Sequence, residues 1–471
     1  YQHKSQITAP GYQLLDGVTV PSHIDPTRLL GKEPWITPVT DDVSNIGLRF
    51  NYKFNQDWNL TLAANRYRLK RDDRSAFPFG FYGNGDYDIY EYKSDNEEHT
   101  ILGTQALLNG KFVTGSVKHQ IAIGATFERR RDRAGDCVYG MALDNCSGST
   151  PNGTSNIYDP VVNATAVPPS TINSGPVFLQ RKDNEWSLFT QDVMSLTDKL
   201  KLHAGLRYTE LQRDQFSIVD GAKLSDYDKS YLLPNLALVY SPMPSLSLYG
   251  SYAEGLQHGG VAGDFDTNAH EMLNPNISRQ YEIGLKQDIS NALSITAALF
   301  QIKAPLEYTD GTGTFVQNGD AIHRGIELGL QGRATRNLLV GASLTALDAK
   351  QENTGDPTLD GKRNVNVPKL KAVSYLDYAV ADVPGLNLNT TWTYASSKAF
   401  DTQNQTIVGG YSVFDMGARY ATKINGKAVR FNFMVYNVFN KFYWRDVTQD
   451  LGGYLFPGAP RTYKLTAQFD F

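Results

Sequence analysis

Residues 386–394 read Leu386-Asn387-Leu388-Asn389-Thr390-Thr391-Trp392-Thr393-Tyr394. Leu386, Leu388, Trp392 and Tyr394 share one parity, and Asn387, Asn389, Thr391 and Thr393 share the other. Side chains of a strand alternate sides with period two, so this stretch is a strand with one apolar and one polar face. The pattern recurs at 200–209, where Leu200, Leu202, Ala204, Leu206 and Tyr208 oppose Lys201, His203, Gly205, Arg207 and Thr209. It recurs again at 411–423 and 429–436. About eighteen such segments cover the chain, near 1–7, 43–54, 58–69, 87–110, 117–131, 183–197, 200–214, 228–241, 246–257, 279–290, 293–309, 315–334, 337–351, 367–381, 386–399, 411–424, 428–444 and 460–471. Helical periodicity is almost absent. The fold class is all-β.

Composition narrows the class further. The chain has 471 residues, 41% hydrophobic and 20% charged, with a formal net charge of −4. It contains no run of about 18 apolar residues, so no transmembrane helix is encoded. Low charge asymmetry argues against a general nucleic-acid binder. Two cysteines exclude a disulfide framework and a four-cysteine zinc site. The 27 Tyr, 22 Phe and 41 Gly favour strands joined by many turns. No Gly-x-Ser-x-Gly, phosphate loop or Gly-x-Gly-x-x-Gly after a strand is present, so nothing points to an enzyme.

The connections alternate in length. Tight turns at 55–57, 197–199, 242–244, 382–385 and 425–427 separate long polar links at 8–42, 70–86, 132–182, 215–227, 258–278, 352–366 and 445–459. Asn425-Gly426 is the strongest turn signal, because both residues tolerate the positive φ of a two-residue hairpin. Tight turns at one end and long loops at the other describe an antiparallel transmembrane β-barrel. Its apolar face meets lipid and its polar face lines the lumen. Trp58, Tyr208, Tyr252, Trp392, Tyr394, Tyr443 and Trp444 lie near strand ends, as interfacial girdles require. A propeller would need a repeat of about 40–50 residues, and none is found. The final strand alternates Tyr463, Leu465, Ala467, Phe469 and Phe471 with Thr462, Lys464, Thr466, Gln468 and Asp470. It ends on an aromatic, like the signal that outer-membrane assembly machinery reads.

These features come with motifs that resemble the barrel of TonB-dependent siderophore receptors of the Gram-negative outer membrane. Leu248–Gly255 (LYGSYAEG) resembles the family's strand before a large loop. Arg279–Lys286 (RQYEIGLK), His323–Leu328 (HRGIEL), Tyr436–Lys441 (YNVFNK) with Tyr443-Trp444, and Gly458–Arg461 (GAPR) match in order and spacing. The resemblance implies a 22-stranded barrel around a lumenal plug, of which residues 1–471 supply the barrel domain with about eighteen strands. The signal peptide, the plug and about the first four strands are then expected outside this chain. It also implies a receptor that binds ferric siderophores at its extracellular face and imports them by active transport coupled to TonB. Haem or another bulky nutrient such as cobalamin, and a passive porin-like channel, are the alternatives.

A ferric siderophore brings its own iron ligands, so the resemblance implies no intrinsic cofactor and no protein metal site. It implies aromatic walls at the mouth. The candidates are Trp35, Phe77, Phe79, Tyr82, Tyr87, Tyr139, Tyr158, Phe265 and Tyr308. The expected partners are the ferric siderophore, TonB, and lipopolysaccharide with outer-membrane lipid. The runs Lys70-Arg71-Asp72-Asp73-Arg74 and Glu128-Arg129-Arg130-Arg131-Asp132-Arg133 read first as lipopolysaccharide contacts or a solvated face, and second as attraction for an anionic complex. Cys137 and Cys146 bracket eight residues of the longest loop. An oxidising surface compartment favours a disulfide there, worth roughly 2–3 kcal/mol in the chain-entropy model. His258 and His270 fall in one long loop, and Asn274-Pro275-Asn276-Ile277, which follows, resembles the Asn-Pro-Asn-Leu motif of haem receptors, but the Phe-Arg-Ala-Pro that precedes it there is missing.

Overall fold

The computed structural model describes residues 1–22, 24–135, 138–139, 151–161, 177–218, 220–263, 266–448 and 453–469. Among them one antiparallel sheet holds 20 strands. Two are the short pieces Val138–Tyr139 and Gly153–Asn156, which pair with the outer end of the strand Asp86–Thr114. The remaining eighteen pair in chain order, from Gln2–Gln6 to Thr462–Phe469. Each segment marked by period-two alternation carries one of them.

The turn chemistry follows the residues. Asn425 has φ 51° and Gly426 φ 80°, and they join Tyr411–Ile424 to Lys427–Tyr436 with Ile424 facing Lys427. At the opposite end the strands run far past a bilayer. Asp86–Thr114 has 29 residues, about 95 Å at 3.3 Å per residue, whereas a membrane crossing takes about 9–11 residues.

Which face is outside follows from exposure and reach. Ile46, Leu48 and Phe50 on Val39–Lys53 are 70%, 77% and 57% exposed. Leu62, Leu102, Ile123, Leu188, Leu206, Leu236, Ile283, Leu299, Ile326 and Leu388 continue this exposed belt around the sheet. The other face is polar, and its side chains reach over whole strands. Arg207 Nη2 donates to Thr126 Oγ1 at 3.1 Å across Val177–Ser195. Arg419 Nη2 reaches Asp377 at 3.2 Å across Leu386–Ala395. Side chains converge in this way on a concave surface, so the polar face is the inner one. The whole chain exposes 26033 Å², against roughly 17,500 Å² for a compact monomer of its mass. A shell with two faces accounts for the excess.

Aromatic pairs mark both rims of the belt. Trp58 stacks on Phe112, and Phe112 on His119, near the turns. Trp186–Tyr208 and Tyr252–Tyr281 lie toward the loops.

Two boundaries differ from the sequence reading. The link at 70–86 is mostly strand, since Asn59–Phe79 and Asp86–Thr114 leave only 80–85 between them. The charges that looked like a loop are paired across the ladder, Arg71 with Asp41 and Arg74 with Asp95. The segment 428–444 breaks after Tyr436. There Asn437 adopts φ 48° and Asn440 φ 50°, and the Asn437 amide bonds the backbone of Lys441 and Ala459. Trp444 is therefore no girdle residue. It starts the short strand Trp444–Thr448, which pairs with Tyr454–Pro457 outside the barrel.

Candidate functional site

A barrel with apolar residues outside and polar residues inside has no hydrophobic core of its own. The buried apolar cluster is instead built by the loop ends. It joins Tyr12, Leu15 and Leu30 of 7–38, Ala76, Phe81 and Tyr87 of the hairpin 59–114, Ile157, Phe400, Val408, Trp444 and Leu455. Leu455 and Val408 are fully buried. Backbone bonds between Tyr12 and Leu455, at 2.8 and 2.6 Å, tie opposite ends of the sequence together. Trp444 Nε1 donates to the Pro21 carbonyl at 3.0 Å, and the Tyr454 hydroxyl to that of Pro78 at 3.2 Å. The loops thus form one packed crown over the outer mouth.

The predicted site residues fall into distinct environments on this crown. Phe77 and Phe79 stack at 6.3 Å, and the strip extends to Tyr454 and Tyr90. Tyr82 and Tyr158 both lie beside Gly85 at the hairpin tip. The Gly85 N–H closes a turn on the Tyr82 carbonyl, and a Cβ on Gly85, whose φ is +94°, would lie 2.6 Å from the Tyr158 ring. Phe79, Tyr82 and Tyr158 are 39%, 55% and 48% exposed. Tyr87 is buried in the crown, and its hydroxyl accepts from Arg28 Nη2 at 3.1 Å. Burial raises its pKa, so it stays neutral. Trp35 packs against the same core, and its indole N–H is buried without an acceptor. Tyr308 stands apart on the hairpin 293–333, donating to the Thr354 carbonyl at 3.4 Å. Tyr139 is described in backbone only, paired with Tyr92. Phe265, Cys137 and Cys146 lie outside the described residues.

Tyr90 and Tyr454 complete the aromatic strip and were not singled out from sequence. Tyr90 carried a weak signal, lying near Tyr87 and Tyr92 in an alternating stretch. Tyr454 carried none, because its partner Phe77 is distant in the chain.

The basic run 128–133 is split by alternation. Arg130 and Asp132 turn inward, where Asp132 binds Arg181 at 2.6 Å, Arg130 at 2.9 Å and His99 at 2.9 Å. Asp183 holds the buried Arg213 through two hydrogen bonds of 2.8 and 2.9 Å. The Arg213 guanidinium lies over the Tyr227 ring, and the Tyr227 hydroxyl pairs with His258 Nδ1 at 2.7 Å. His258, which the sequence places in the loop before the haem-receptor-like motif, therefore anchors that loop. Asn276 does likewise: its Nδ2 donates to Glu307 at 2.8 Å.

An outward apolar belt, an inward polar wall and a packed crown define the class: a transmembrane β-barrel with a large external crown of loops. The chain belongs to the TonB-dependent receptors: a family model described as "TonB dependent receptor-like, beta-barrel" matches residues 3–438. The barrel is accordingly one of the Gram-negative outer membrane. Ferrichrome receptor FcuA of Yersinia enterocolitica is 26% identical over 466 residues, which cover 97% of this chain and 59% of that protein. The ferrichrome outer membrane transporter/phage receptor of Escherichia coli K12 is 27% identical, over 90% of this chain and 58% of its own length. The chain thus spans somewhat over half of these relatives. Among solved structures, BauA, the ferric preacinetobactin receptor of Acinetobacter baumannii, superposes with a TM-score of 0.82 at 26% identity, covering 98% of this chain and 67% of BauA.

The His258 anchor predicts a pH dependence. Burial, with the charge of Arg213, pushes its ring down to about 4, below the unfolded value of about 6.5. The opened loop therefore takes up a proton that the closed loop does not, and closure is weakened as pH falls from about 6.5 to about 4. Hydrogen exchange of 258–273, corrected for intrinsic rates, is expected to speed up over that window and to lose this dependence in His258→Gln.

Proposed function

We propose that this chain is the barrel portion of an outer-membrane receptor that binds a ferric siderophore at its crown and imports it by TonB-coupled transport. The observation that carries the reading is the crown itself. It fuses loops from both ends of the chain around a buried core and leaves Phe79, Tyr82 and Tyr158 exposed on a packed base. Aromatic walls seated on a packed core suit a bulky complex whose iron is already saturated by its own oxygens. Similarity to two ferrichrome receptors along nearly all of this chain supports the same ligand class. In this reading the plug and the TonB-contacting segment are supplied by sequence outside residues 1–471.

The same reading assigns a lipid partner to the outward arginines. Arg66 and Arg129 flank Leu102 on one rung of three adjacent strands, and Arg68 and Arg131 flank Thr100 on the next. All four share the parity of the apolar belt and lie on its loop side. Lipopolysaccharide carries its phosphates at that height of the outer leaflet, and clustered guanidinium groups attract them.

Two experiments test these assignments. Cells limited for iron are expected to grow on at least one ferric hydroxamate or catecholate only when both the full-length gene and TonB are present. Growth on haem alone, or indifference of every iron source to the gene, contradicts the reading. For the lipid, Arg66→Gln with Arg129→Gln should lower the lipopolysaccharide retained by detergent-washed receptor several-fold without abolishing growth on the siderophore. Unchanged retention removes the partner.

A further inference from the structure

The lipid face of the sheet is not uniform. Between Phe315–Arg333 and Leu386–Ala395 it holds a groove of about 410 Å³ that no charged residue lines, within the size range of small-molecule sites. The floor lies on the two strands in between, Leu338–Glu352 and Leu370–Ala379. Ala372 pairs with Leu344 on one rung, and Ser374 with Ala342 on the next. Leu344 in turn faces Leu328, which is 46% exposed and belongs to the apolar belt. The groove therefore opens toward lipid and away from the lumen. Ala372 shares that parity, yet it is only 8% exposed, because larger neighbours overhang it.

The far wall is aromatic and fixed. Tyr394 pairs with Ala372, and Trp392 with Ser374. The Trp392 indole N–H donates to Ser412 Oγ at 2.8 Å. Its ring packs against Tyr394 and Phe414, with centroids 6.1 and 6.4 Å away. Held in this way, Trp392 cannot swing over the small residues, and the unbroken ladder keeps the floor strands from closing up. An empty groove would forfeit the dispersion contacts of its lining, and at this depth only hydrocarbon is present to fill it. A floor two strands wide spans about 10 Å at the usual strand spacing, and the flanking side chains narrow it further. That width admits a single hydrocarbon chain and excludes the wall of a second barrel.

Height selects the leaflet. Leu386–Ala395 rises from the turn 382–385, so Trp392 and Tyr394 stand in its loop-side half. From Leu328 toward the loops, the same parity carries Arg324 two rungs on, then Lys303 and Lys350 on either side of Ile322. These three are ion-paired with Glu352, Asp320 and Asp348 but keep exposed side chains. Cationic groups above an apolar trough suit a lipid with a phosphorylated head, and in the outer leaflet that lipid is lipopolysaccharide.

We infer that this groove seats one acyl chain of lipopolysaccharide, with the phosphorylated head at the level of Arg324, Lys303 and Lys350. The site is separate from the guanidinium cluster at Arg66 and Arg129. The identity of the lipid rests on the partner proposed above; the apolar seat for its chain does not.

The test uses full-length receptor extracted from outer membranes in mild detergent, with bound lipid counted by native mass spectrometry. Ala372→Leu with Ser374→Leu fills the groove from its floor, and Leu388→Ile changes the belt elsewhere. An unchanged thermal unfolding midpoint verifies that each variant is folded. Each is measured alone and together with Arg66→Gln and Arg129→Gln. The expected result is that filling the groove lowers the retained lipopolysaccharide several-fold in both backgrounds, whereas Leu388→Ile has no effect. If filling lowers retention while the arginine changes do not, the groove stands and the guanidinium cluster falls. Unchanged lipopolysaccharide on filling overturns the inference. So does displacement of a phospholipid in its place, or loss of a dimer, which would make the occupant a second copy of the chain.

Discussion

The constraint behind this structure is that a peptide group facing hydrocarbon has no water to bond. Each N–H and C=O in the membrane must find its partner within the protein, and a sheet can meet that demand only by running unbroken from strand to strand. The ladder from Gln2–Gln6 to Thr462–Phe469 does so through seventeen consecutive pairings of eighteen strands. Alternation then leaves two faces. The outward one carries Leu48, Leu188 and Leu388, and the inward one carries Arg207, Thr126 and Asp377.

A second consequence is the position of the core. Apolar side chains spent on lipid cannot pack against one another inside, so the water-exposed end needs a separate source of cohesion. The crown supplies it. Residues as far apart as Tyr12 and Leu455, or Pro21 and Trp444, are joined there. Beneath the crown, Asp132, Asp183, Arg181 and Arg213 form a buried ionic network. Such pairs often add little net stability against apolar replacements, while removal of one partner is costly. Their value here is positional: they hold Tyr227 and His258, and through these the loop that follows Gln257.

The strands were legible in the sequence because alternation is a local property, and the Asn425-Gly426 turn was legible because its backbone angles demand those residues. The parity that splits Arg129 and Arg131 from Arg130 and Asp132 was equally available, although the run reads at first as one block of charge. The crown was not legible. Trp444 looks like a girdle residue because it follows an alternating strand, and only the Asn437 turn, with the Pro21 carbonyl from the far end of the chain, sends it into a core. Residues 70–79 look like a polar loop because their stabilising partners, Asp41 and Asp95, lie on other strands. The site residues divide in the same way. Aromatic type suggested Phe79, Tyr82 and Tyr158, whereas burial of Tyr87 and the contact of Tyr454 with Phe77 depend on long-range packing.

The assignment of faces decides where lipid, lumen and ligand lie, and it can be measured directly. Spin labels placed one at a time from Asn45 to Tyr52, in receptor with Cys137 and Cys146 replaced by serine and reconstituted in bilayers, would report their collisions with oxygen and with a water-soluble nickel complex. The account predicts oxygen access at Ile46, Leu48 and Phe50 and nickel access at Asn45, Arg49 and Asn51, in strict alternation. The opposite phase would place lipid against the polar face, and the absence of any alternation would mean that this sheet does not span a membrane.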